Sequence, residues 1–160
     1  MKNPLRSLTV LLALLAGLAA SAHESGAPLT APQKTFLAHY EVVRAALAAD
    51  DLAAAKKAAA ALAAEPSPAP PVPPSPEQTK RQAAFAATVK KIAAADSLVA
   101  AREAFKALSK SAIHLAAGKS GYHVAHCPMV PDDAGYWVQT AAEISNPYLG
   151  KRMPSCGSIK

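Results

Sequence analysis

Two short runs near the C-terminus hold the residues best suited to chemistry: His126-Cys127-Pro128-Met129 and Met153-Pro154-Ser155-Cys156-Gly157. They contain both cysteines and, apart from the start residue, both methionines. Thiolate and thioether sulfurs are soft donors that select Cu(I) over harder divalent ions. Two sulfurs at each end of a segment of about thirty residues can converge on one ion if the chain folds back. Cys127, Met129, Met153 and Cys156 are therefore candidate ligands for Cu(I) or Ag(I), with His126 as an additional nitrogen donor.

Two other chemistries compete for the same cysteines. In an exported protein a cysteine pair forms a disulfide, and a Cys127–Cys156 bond would close a loop worth roughly 3–4 kcal/mol. A disulfide and a metal thiolate exclude each other at any instant, but oxidised and metal-binding forms can alternate. A disulfide alone gives no reason for Met129 and Met153, although gap-filling in a core would. Redox catalysis is the third option. It lacks a Cys-x-x-Cys and a base set beside a thiol. Paired carboxylates, a Gly-rich phosphate loop and a Ser-His-Asp order are also missing, so the chain reads as a binding protein and not as an enzyme.

The other histidines are weaker candidates. His123 and His126 fall on opposite sides of an extended segment. His39 and His114 belong to the exposed edges of helices. His23 would join its imidazole to a free α-amine only if cleavage falls just before it. Asp132-Asp133 is turn chemistry.

The elements that position the sulfurs begin after a leader. Met1–Arg6 is basic, Leu8–Ala20 is apolar but short for a membrane span, and Ala20-Ser21-Ala22 has the small-x-small pattern of a cleavage site. Residues 1–22 thus read as a signal peptide and 23–30 as a flexible start of the mature chain, implying a periplasmic address. Losing Lys2 and Arg6 lowers the formal charge of +6 by two. What remains is long enough for one domain. The lysines lie in pairs on helical faces (Lys56-Lys57, Lys90-Lys91) and not beside aromatics, which argues against nucleic acid. No other run is long and apolar enough to span a membrane.

Residues 31–118 predict a helical bundle. Thr30-Ala31-Pro32-Gln33 is a capping box before the stripe Phe36, Tyr40, Val43 and Leu47. Asp50 or Asp51 interrupts the pattern and can cap a second helix on Leu52, Ala55, Ala59 and Leu62. Residues 66–76 are Pro-rich and read as a semi-rigid connector. Ser75-Pro76-Glu77-Gln78 caps a third helix carrying Phe85, Val89 and Ile92. After Asp96-Ser97, the stripe Leu98, Ala101, Phe105, Leu108, Ala112 and Leu115 runs to Gly118. The halves align at an offset of 46, through Asp50/Asp96, Leu52/Leu98, Lys56/Arg102 and Leu62/Leu108. The expected fold is mainly α, an up-down bundle of four helices or two long bent hairpins. Residues 119–160 form an irregular or short β segment. Tyr122/Val124 and Tyr136/Val138 are extended there, a turn lies at Asp133-Ala134-Gly135, and Trp137, Asn146, Pro147 and Tyr148 make a small aromatic core of the tail's own.

The tail's order of residues is Tyr122-x4-Cys127-Pro128-Met129, Gly135-x-Trp137, Ile144-x-Asn146-Pro147-Tyr148-x-Gly150, Met153 and Cys156-Gly157. It resembles a domain of unknown function in exported bacterial proteins. That domain is also found at the C-terminal end of some copper/silver efflux adaptor (membrane-fusion) proteins of the resistance-nodulation-division type. The resemblance implies a periplasmic helical domain concerned with heavy metals, which sequesters the ion or delivers it to an efflux complex. It does not imply an adaptor, since the chain has no room for that architecture. His126 departs from the family pattern, so its role as a ligand is not inherited. The alternative reading is a disulfide-stapled helical module that docks on an envelope partner; a copper sensor would additionally need a metal-dependent partner.

Overall fold

The computed structural model describes residues 28–65, 73–131 and 134–160. The expected signal peptide (residues 1–22), His23, most of the Pro-rich connector and Asp132-Asp133 lie outside them. Four helices form where the caps and stripes predict: α1 (Ala31–Ala48), α2 (Leu52–Ala64), α3 (Pro76–Ala93) and α4 (Leu98–Ala116). Thr30 and Ser75 make reciprocal capping boxes with Gln33 and Gln78, each followed by proline in the first turn. Asp51 caps α2 and Ser97 caps α4 through their side chains.

Between α1 and α2 the chain breaks instead of bending. Asp50 takes a left-handed φ of 57°, a conformation that Asp adopts more readily than most non-glycine residues. Four helices, not two long bent ones, are therefore the outcome.

The buried stripe of α1 is Leu37, Tyr40, Val43, Arg44, Ala46 and Leu47. It is rotated slightly from the expected one. Phe36 is half-buried and meets Phe85 of α3 edge-on, ring centres 5.5 Å apart. Much of the core is alanine (Ala55, Ala58, Ala59, Ala101, Ala112, Ala116). Small side chains let the helices approach closely but bury little apolar area each. At the end of the bundle where α1 and α3 begin and α2 and α4 finish, Phe36, Leu62, Phe85 and Leu115 line an open groove of about 980 Å³ with Arg81 and Lys110 at its rim.

The tail forms a three-stranded antiparallel sheet of β1 (His123–His126), β2 (Tyr136–Gln139) and β3 (Ser158–Ile159), with β1 in the centre. A 3₁₀ turn, Gly150–Arg152, precedes β3. The tail does not carry a core of its own, as its clustered aromatics suggest. Trp137 and Tyr148 belong to one continuous core with Tyr40 and Phe105. Tyr40 stacks on Phe105 at 5.2 Å, Phe105 meets Tyr148 at 5.8 Å, and Tyr148 meets Trp137 edge-on at 6.1 Å. A bundle made largely of alanine gains large apolar side chains from the tail.

Candidate functional site: the cysteine tail

The tail is seated on the bundle by polar side chains of α1 and α4. Arg44, only 5% exposed, donates from Nη1 to the Ser145 carbonyl at 2.7 Å while its other nitrogens hold Glu41. Arg102 donates from Nε to the Pro147 carbonyl at 2.8 Å, and from Nη2 to the Leu47 carbonyl at 2.7 Å and to Asp50. The Asp50 carboxylate also accepts from the Lys151 amide at 3.1 Å. The Arg102 hydrogen bond holds the Asp50 carboxyl below its ordinary pKa, with the Lys151 amide helping. Gly150, at φ 53°, closes this joint, because a Cβ there would overlap Asp50 Oδ1.

Tyr40 makes the third attachment. Its hydroxyl accepts from the Val138 amide at 3.1 Å and shares a hydrogen bond with Ser109 at 3.1 Å. Because β2 is an outer strand, that amide points away from β1 and needs a partner. Burial pushes the Tyr40 phenol far above its usual range, so it stays neutral and can serve both partners.

Two buried amides organise the tail internally. Gln139 accepts from Trp137 Nε1 (2.8 Å) and the Ser145 amide (3.2 Å), and donates to the carbonyls of Ala141 and Glu143 at 2.7 Å each. Asn146, fully buried, accepts on Oδ1 from the amides of Tyr148 (2.8 Å) and Leu149 (3.0 Å), and donates from Nδ2 to the Cys156 carbonyl at 2.8 Å. The Tyr148 hydroxyl donates to the Tyr136 carbonyl at 2.7 Å. Trp137, Asn146, Pro147 and Tyr148 are all buried, as their place in a packed tail requires.

This framework brings the two cysteines together. Cys127 and Cys156 form a disulfide with Cα atoms 5.6 Å apart, within the ordinary range for such a bond. Cys127 is fully buried, whereas Cys156 is partly exposed. The methionines are not core fillers. Met129 is 62% exposed and Met153 is 38% exposed. Met129 lies two residues beyond Cys127. The Met153 carbonyl accepts from the Cys156 amide at 3.2 Å in a tight turn. The His126 ring stacks on Tyr136 with centres 4.1 Å apart. His123 and His126 belong to a four-residue strand, where a spacing of three puts them on opposite faces. His114 is exposed as expected, but His39 is half-buried and bonds Glu65 at the end of α2 at 3.0 Å.

As a disulfide the pair offers no thiolate to a metal ion. Among the described residues no group of three or more His, Cys, Asp or Glu is placed to hold a metal ion.

Arg44, Arg102 and Gln139 carry no signal in the sequence, and Tyr40 shows only as a stripe residue. Arg44 and Arg102 look like ordinary charges on helical faces. Their work is revealed only by the tail carbonyls they hold, 101 and 45 positions further along the chain.

Comparison with curated proteins gives no match, and neither does comparison with solved structures. A family match does exist. It covers residues 36–120, from within α1 to the start of the tail, and so rests on the helical part and not on the cysteine motifs. Spanning a little over half of the sequence, it shows that the chain belongs to the family described as "Protein of unknown function (DUF3347)".

Proposed function

We propose that this chain is an exported soft-metal-binding protein. In its reduced form the tail takes up Cu(I) or Ag(I) through Cys127 and Cys156, with Met129 and Met153 as accessory donors. It acts by binding, not by catalysis, either sequestering the ion in the periplasm or passing it to an efflux complex of the envelope. Two- and three-coordinate thiolate and thioether intermediates let the ion leave by ligand exchange. The observation that carries the reading is the pairing of adjacent cysteines with two exposed methionines on the same tail. Packing gives no reason for long apolar side chains at those surface positions, whereas soft-metal binding does. His126 is the weakest member of the set, since its ring is engaged with Tyr136.

The test is competition for Cu(I) against a chromophoric chelator with fully reduced protein. Loss of tight binding in Cys127→Ser and Cys156→Ser supports the reading; equal weak binding in wild type and both variants ends it.

The S–S bond itself favours a second reading, in which the bond is a permanent staple and the bundle is a docking module. The open groove lined by Phe36, Leu62, Phe85 and Leu115, with Arg81, Lys110 and the carboxylate of Glu65 beside them, suits an apolar partner segment. Mass analysis of periplasmic protein under non-reducing conditions separates the two. A quantitative disulfide that thiol reductants at periplasmic strength cannot open favours the staple.

A further inference from the structure

The backbone around each cysteine is held by hydrogen bonds that do not involve sulfur. On one side, the Cys127 amide donates to the Gly135 carbonyl at 3.0 Å and the Cys127 carbonyl accepts from the Val130 amide at 3.3 Å. On the other, residues 153–157 are tied to the tail through Asn146. The Asn146 amide donates to the Pro154 carbonyl at 2.9 Å, and the Asn146 side chain donates to the Cys156 carbonyl at 2.8 Å. Beyond Cys156 the chain re-enters the sheet at Ser158–Ile159, and the Lys160 amide donates to the Val124 carbonyl at 2.9 Å. The side chain that grips the backbone of Cys156 is thus itself fully buried and fixed at its other end by two amides.

We propose that Asn146 is a positioning residue for the sulfur pair: it holds Cys156 beside Cys127 after the S–S bond is opened, so that the reduced tail presents a preformed dithiol. The functional consequence, tight soft-metal capture, rests on the reading above. The geometric claim does not.

The redox step balances with a small thiol as reductant. Its thiolate attacks the more accessible sulfur, that of Cys156, and the buried Cys127 thiolate leaves. A second thiol then releases Cys156 from the mixed disulfide. Two thiols give up two electrons and two protons, leaving as one small disulfide, and the protein becomes a dithiol. The equilibrium constant of this exchange measures the effective concentration of one protein thiol beside the other. A clamp that persists in the reduced state raises that concentration and makes the protein disulfide harder to reduce. The same proximity favours a shared metal ion, because less order remains to be imposed on binding.

Asn146→Asp separates the two halves of the residue. The remaining oxygens can still accept from Tyr148 and Leu149, but the donor to the Cys156 carbonyl is gone. A lost hydrogen bond of this kind corresponds to about a tenfold change in equilibrium. Because the proposed clamp is present in both redox forms, the experiment reads the reduced form directly, by hydrogen exchange at the residue 146 backbone amide, which donates to the Pro154 carbonyl, followed by NMR in oxidised and thiol-reduced full-length protein. In wild type the rate is expected to stay within about threefold on reduction. In Asn146→Asp the S–S bond still holds residues 153–157 in the oxidised form, and reduction is expected to quicken exchange about tenfold. Leu62→Ala, a core change in α2, is expected to respond to reduction as wild type does. A wild type whose protection at residue 146 collapses on reduction overturns the proposal, as does a reduced Asn146→Asp that keeps it. If Asn146→Asp fails to fold, Asn146→Ser provides the same readout. Cu(I) competition on the reduced wild type is read separately: a protein with no tight site removes the soft-metal reading and leaves the exchange result to decide the role of Asn146.

Discussion

Tyr40→Phe removes one oxygen from the joint between bundle and tail. The phenol is 1% exposed, and its hydroxyl is the acceptor for the outward-pointing Val138 amide of β2. The ring itself, stacked on Phe105, is retained. The change therefore leaves a buried N–H without its acceptor and takes one partner from Ser109. Stranding a buried donor costs about 1–3 kcal/mol, so a loss of about 2 kcal/mol is expected. For a domain of this size that corresponds to a fall in Tm of roughly 6–10 °C. The local readout is sharper. Hydrogen exchange at Val138, followed by NMR, should quicken about thirtyfold, the factor to which a loss of about 2 kcal/mol converts. The neighbouring amides of β1 should change less, because their bonds to β2 remain. A double-mutant cycle with Ser109→Ala should show coupling, as both residues share one hydroxyl. If urea titration finds Tyr40→Phe as stable as wild type and Val138 exchange is unaltered, the claim that the bundle caps the sheet edge through this hydroxyl is wrong.

Other outcomes follow from the same geometry. Reducing the disulfide, or replacing both cysteines by serine, should cost about 3.6 kcal/mol in the chain-entropy account for a bond between residues 29 apart, read as a lower urea midpoint. Asp50, whose folded pKa is lowered chiefly by the Arg102 hydrogen bond, contributes stability that is present above its unfolded pKa near 4 and is lost as pH falls through the folded value. Melts taken from pH 6 downward should thus show a steeper acid loss in wild type than in Asp50→Asn. Met129→Leu with Met153→Leu should change stability by less than about 0.5 kcal/mol, because both side chains are exposed, yet should weaken Cu(I) binding by the reduced protein.

The bundle was largely legible in the chain. Thr30, Asp51, Ser75 and Ser97 each place a side-chain oxygen where the first turn of a helix has orphan amides, and local rules of this kind survive folding. The extended segments at Val124 and at Tyr136/Val138 were legible from alternation, which is equally local. What was hidden depends on distant residues. Whether Asp50 bends or breaks the α1–α2 path is tied to Arg102, 52 positions away. Two-residue β3 is exposed and has no periodicity to display. The cysteine pairing was one of several open chemistries until the fold set their Cα atoms 5.6 Å apart. The methionines show the opposite case. Their soft sulfurs were evident in the sequence, but only their exposure separates them from core filling.

The most direct test of the soft-metal account is the Cu(I) stoichiometry and affinity of the reduced mature protein, measured by competition with a chromophoric chelator. The account predicts one tightly held ion per chain, lost on replacing either Cys127 or Cys156 by serine. Binding that is weak and the same in all three proteins would contradict it.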